Sequence, residues 1–64
     1  MKLVEFINHI KHNSLSIKII GSNYITIYDG SIGSYKTSVI KNKIDECEIN
    51  KILTDENQLY IYIK

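Results

Sequence analysis

The sequence predicts an α+β domain: an N-terminal amphipathic helix packed on a small antiparallel sheet of two hairpins, with a second short helix between them. Three observations carry this expectation. Leu59-Tyr60-Ile61-Tyr62-Ile63 alternates strictly between aliphatic and tyrosine, the period-two signature of a strand with two unlike faces. Tyr24-Ile25-Thr26-Ile27-Tyr28 repeats the alternation. Leu3, Phe6, Ile7 and Ile10 fall at the i, i+3, i+4, i+7 spacing of one helix face.

The helix is expected over residues 2–12, with Lys2, Glu5, Asn8, His9, Lys11 and His12 on its wet side and Asn13-Ser14 ending it. Leu15 to Ile20 reads as the first strand, with Leu15, Ile17 and Ile19 facing inward. Gly21-Ser22-Asn23 is a hairpin turn signal, because Gly and Asn tolerate positive φ. The second strand is Tyr24 to Asp29, with Ile25 and Ile27 inward. Asp29 to Ser34 reads as a loop. An extended piece follows at Tyr35–Thr37, then one or two helical turns near residues 38–46, where Val39, Ile40 and Ile44 sit at helical spacing. Residues 47–54 fit either a continued helix or a strand with a bulge. The strand is favoured, because the final strand needs a neighbour and a hairpin through Asp55-Glu56-Asn57-Gln58 supplies one. Phe6 is expected to anchor the helix against Leu15, Ile17, Ile27 and Ile61.

A chain of 64 residues makes one domain, residues 1–64. A domain this small buries only about 60% of its unfolded surface. Cys47 is the only cysteine, so no internal disulfide can reinforce the core. Economical packing or self-association must compensate, and a two-fold homodimer is expected. The free thiol fits a reducing cytoplasm, and no secretory leader pattern opens the sequence. No apolar stretch approaches the length of a membrane span.

The net charge of +1 conceals an asymmetry, since residues 1–43 are basic and residues 44–64 acidic. Arginine is absent. Without the residue that best reads phosphates and bases, and with charge near neutral, direct nucleic-acid binding is not expected.

Catalytic and ligand-binding patterns are weak. His9 and His12 are three apart, a spacing that can present two metal ligands, but no third ligand accompanies them. Solvated helix residues is the simpler reading, and no metal or other cofactor is expected. Gly30-Ser31-Ile32-Gly33 lacks the length and the Lys-Ser/Thr end of a phosphate loop. Asp45, Glu46 and Glu48 sit in a polar run without the burial that tunes catalytic carboxylates. Cys47 among these acids would be a poor nucleophile. The chain is therefore not expected to be an enzyme.

The tyrosines stand apart. Alternation predicts Tyr24, Tyr28, Tyr60 and Tyr62 on one outer face, interleaved with Ser16, Lys18 and Thr26. A wet sheet face alone would explain them. Tyrosine also gathers at protein interfaces, where it buries large area behind a polar tip. Tyr24, Tyr28, Tyr60, Tyr62, Lys18 and Thr26 are thus the candidate protein-binding residues. Tyrosine rings also stack on nucleobases, which keeps a nucleotide-binding reading open.

Met1-Lys2-Leu3, Phe6-Ile7, Ile25 to Gly30, Glu48-Ile49 with Ile52, and Asn57 to Ile63 form a pattern that resembles small accessory proteins of phages and prophages of low-GC Gram-positive bacteria. The first thirty residues are similar in layout to type II-A anti-CRISPR inhibitors, which also begin with a short helix and a β-hairpin. The resemblance implies a non-enzymatic inhibitor of a bacterial immune protein such as a CRISPR nuclease, acting in the bacterial host cytoplasm. The chain is shorter than those inhibitors and not strongly acidic, so DNA mimicry is not implied. The alternatives are an oligomeric sponge for a nucleotide immune messenger and a structural or regulatory phage subunit.

Overall fold

Each end of the chain folds into a hairpin, and the two hairpins join into one sheet. The computed structural model describes residues 1–64. In chain order the elements are α1 (Leu3–His9), β1 (Ser16–Ile20), β2 (Thr26–Ser31), α2 (Ile32–Lys36), α3 (Lys41–Ile44), β3 (Ile49–Thr54) and β4 (Leu59–Ile63). The fold is α+β, with strand order β2-β1-β4-β3. Both hairpins are antiparallel as expected, but β1 and β4 pair in parallel at the centre. The sheet is therefore mixed. No helix is long and apolar enough to cross a membrane.

Register divides the side chains between two faces. The parallel pairs Ile17↔Leu59 and Ile19↔Ile61 lie on the inner face. There Ile17, Ile19, Ile61 and Ile63 join Leu3 and Ile7 of α1, Ile32 and Tyr35 of α2, and Ile44 of α3 in one buried cluster. Phe6 is not the anchor of α1. It is only partly buried, while Leu3 and Ile7, on the adjoining stripe, are fully enclosed.

Helix α1 is shorter than the periodicity suggested. It ends at His9, where Ile10 turns extended (φ −92°, ψ 124°), and the His9 ring Nδ1 lies 2.7 Å from Glu5 O. His12 lies beyond the helix, so the two histidines share no helical face. The helix starts at Lys2, whose N–H donates to Glu5 Oε1 at 2.7 Å. That bond satisfies one of the amides left open at a helix start.

The stretch expected as a loop and then an extended piece is α2. Ser31 caps it, its Oγ accepting from Ser34 N at 3.1 Å. Ile32 and Tyr35, three apart, both enter the core. The Tyr35 hydroxyl donates to Asp45 Oδ1 at 3.1 Å, and Lys41 pairs with the other oxygen of the same carboxylate. This ties α2 to α3. Burial first, and then the hydrogen bond to Asp45, push the Tyr35 phenol well above its ordinary value.

Residues 49–54 form a strand with a bulge. Ile49 faces Ile63 and Lys51 faces Tyr62, which leaves Asn50 unpaired. Beside it the N-terminal segment adds a short bridge, Lys2↔Glu48. Ile49 N donates to Met1 O at 2.9 Å and Leu3 N to Cys47 O at 2.8 Å. The Met1 amino group meets Glu48 Oε2 at 3.0 Å, and this hydrogen bond, with the charge behind it, holds the Glu48 carboxyl below its ordinary value. Lys2 Nζ reaches Glu46 at 2.8 Å.

Candidate functional site

All helical core residues pack on the inner face, which leaves the other face open. Cross-strand register arranges that open face in two rows. Thr26, Ile20, Tyr62 and Lys51 lie side by side across β2, β1, β4 and β3. Asp29, Lys18, Tyr60 and Leu53 form the second row. Two of the expected tyrosines thus sit on the central strand β4 with Lys18 and Thr26 on the same side.

The basic groups sit against the rings. Lys18 Nζ lies 5.5 Å from the Tyr60 ring centroid, and Lys51 Nζ lies 4.7 Å from that of Tyr62. Each is a cation–π pair across neighbouring strands. Lys18 also approaches Asp29 Oδ2 at 3.9 Å. Gln58 closes the row's end, donating to Asp29 Oδ1 at 2.8 Å and to Ser16 Oγ at 3.2 Å. The face is a hydrogen-bonded and charge-paired surface with Leu53, 48% exposed, as its exposed apolar member, while Ile20 in the same row is buried beneath its neighbours.

Tyr24 joins this face by a route the alternation did not suggest. It is not in a strand but in the hairpin turn, with a positive φ of 62°. Tyr24 N donates to Gly21 O, and Gly21 N to Ile25 O, both at 2.9 Å. This is a type I turn closed by a left-handed residue, a position usually given to Gly. The Tyr24 ring, 77% exposed, meets Tyr62 edge to face at a centroid distance of 6.4 Å. Ile25, expected inward, is also exposed.

Tyr28 does not belong to the face. Ile19 pairs with Tyr28 and Ile20 with Thr26, so Ile27 is an extra residue and β2 changes phase there. Such a bulge turns two successive side chains to one side. Ile27 and Tyr28 both pack toward the core, and the Tyr28 hydroxyl donates to Ser31 O at 2.7 Å. Leu53 and Lys51 were missed for the opposite reason. Their strand was ambiguous in the sequence, and only its pairing with β4 places them beside Tyr60 and Tyr62.

Elsewhere the molecule offers little. A cleft of about 370 Å³ opens between the α1–β1 connection and the β3–β4 loop, lined mainly by polar groups such as Ser14, Asp55, Glu56 and Gln58. No three His, Cys, Asp or Glu side chains gather as metal ligands. No buried side-chain polar atom lacks a hydrogen-bond partner. Comparison with models of known protein families, with curated proteins and with solved structures finds no match to this chain.

Proposed function

We propose that the protein is a non-enzymatic binding module that docks its open sheet face on another protein. The observation that carries this reading is the array of Tyr24, Tyr60, Tyr62 and Leu53 with Lys18, Lys51 and Thr26 on the face that no helix covers. Aromatic groups with apolar bodies and polar tips are the groups that supply binding hot spots. The partner class comes from the resemblance of the sequence: a bacterial immune protein such as a CRISPR nuclease, blocked in the cytoplasm of a bacterial host. Phage plating on a strain with an active type II-A CRISPR system tests it. Expression of the wild type should restore plating, and the Tyr60→Ser/Tyr62→Ser double variant should not. No relief by the wild type would sink the inhibitor reading.

A second reading is favoured by the two lysine–tyrosine pairs. A base can stack on a ring while the ammonium meets a phosphate, so the face also suits a nucleotide messenger sequestered by an oligomer. Thermal shift with cyclic oligonucleotides separates the two. A sponge gains about 2.7 kcal/mol of stability at a hundredfold excess over its dissociation constant. A protein inhibitor gains nothing.

A further inference from the structure

β3 lies at one edge of the sheet, and that edge is only half covered. Met1 and Lys2 occupy it as far as Ile49. From Lys51 onward, past the bulge at Asn50, the strand is regular and open. Asp55 N donates to Gln58 O at 2.9 Å, so antiparallel alternation directs the backbone groups of Leu53 and Lys51 at β4. Those of Ile52 and Thr54 face outward with no strand beside them. Ile52 and Leu53 are 36% and 48% exposed. Lys51 and Asp55 form none of the chain's ion pairs.

We propose that this edge pairs antiparallel with the same edge of a second copy, about a two-fold axis at Leu53. In that register Leu53 meets the partner's Leu53, and Ile52 exchanges backbone hydrogen bonds with the partner's Thr54. Lys51 falls opposite the partner's Asp55, and symmetry repeats the pair. These are non-hydrogen-bonded positions, where side chains of opposed residues come closest. Two charges that lack an ion-pair partner within the chain are thereby matched without moving any element of the fold.

Neighbouring registers fail. With Ile52 on the axis, the partner's Asp55 would sit beside Ile49, where Met1 already accepts the backbone hydrogen bond. With Thr54 on the axis, Asp55 would oppose Leu53 and Lys51 would face the loop. The N-terminal cap and the charge pattern select one alignment. The open faces of the two copies then form one continuous surface, and Leu53 and Lys51, which belong to that face, lie at the seam between them.

Sedimentation equilibrium from micromolar to millimolar concentration tests the dimer. The wild type should show a reversible monomer–dimer equilibrium. Lys51→Asp and Asp55→Lys should each weaken it about tenfold, and the double variant should recover it. Leu53→Cys should oxidise to a disulfide joining position 53 of both copies, since opposed non-hydrogen-bonded residues lie within disulfide reach. A wild type that stays monomeric at millimolar concentration overturns the proposal. So does charge reversal without rescue in the double variant, or a disulfide that forms only through Cys47.

Discussion

The ring of Tyr28 meets the ring of Tyr35 edge to face at 5.4 Å, on the side of the sheet opposite Tyr60 and Tyr62. Tyr28 therefore works with the core, and its phenol is held by Ser31 O at the start of α2. One aromatic pair joins β2 to the helical layer while the remaining strand tyrosines stay outside it.

Serine substitution should separate these roles. Tyr28→Ser removes a core-facing ring and should destabilise by about 3 kcal/mol or more. Tyr60→Ser removes a ring from the open face and loses mainly a cation–π contact, about 1 kcal/mol or less, while Tyr62→Ser also loses the edge contact with Tyr24, about 1–2 kcal/mol together. Urea denaturation of the three variants measures this directly. Equal losses would show that the open face contributes to the core.

The helix gives a similar contrast. Ile7→Ala empties a fully buried site and should cost about 2–5 kcal/mol, enough to unfold so small a domain. Phe6→Ala acts at a partly buried position beside the core and should cost clearly less. A Phe6→Ala variant that unfolds while Ile7→Ala melts cooperatively would reverse the orientation of α1.

At Tyr24 stability and binding should part. A left-handed backbone costs a non-glycine residue about 1 kcal/mol, and the edge-to-face contact with Tyr62 returns a similar amount. Tyr24→Gly should therefore change the melting midpoint little, whereas partner inhibition should fall. A large loss of stability would mean that the turn depends on the ring.

Alkali provides a test of Tyr35. Its pKa is raised in the folded protein above the ordinary 10.0, so the folded state keeps a proton that the unfolded chain releases. The contribution is complete below pH 10 and declines as pH rises from there toward the folded value. Denaturant midpoints should fall in that range. Tyr35→Phe, which cannot ionise, should flatten that part of the profile. It should also lose about 1 kcal/mol at neutral pH, because Asp45 gives up one donor. An unchanged alkaline slope would place the linkage on other groups.

Legibility in the sequence followed the length over which a pattern could repeat. Leu59 to Ile63 carries five alternating residues with no interruption, and β4 is where alternation placed it. Residues 16–20 fared equally well. Over residues 26–31 one unpaired residue, Ile27, reverses the phase, so alternation read straight through it put Tyr28 on the wrong side. Helix α2 spans five residues, too few to show a helical period, and Gly33 and Ser34 mask it as a loop. Its one local sign was Ser31 three residues before Ser34, the spacing of a capping serine. The parallel pairing of β1 and β4 leaves no local trace, since neither strand's own pattern says which neighbour it takes. For the candidate face, Tyr60, Tyr62, Lys18 and Thr26 were legible, and Tyr24 lies there too although it reaches the face from the turn; Leu53 and Lys51 required the register of the sheet.

That parallel pairing has a consequence for how the molecule comes into being. β4 supplies a central strand, yet it follows every other element in the chain. On the ribosome, the first hairpin and the helices emerge while Ile17 and Ile19 still lack their neighbours Leu59 and Ile61. Joining β1 to β4 closes a loop that contains most of the fold, at an entropic cost that no local turn can reduce. The nascent protein therefore exposes the edge of an aliphatic strand until β4 has emerged, and a stop before Leu59 would leave an aggregation-prone fragment rather than a smaller working domain.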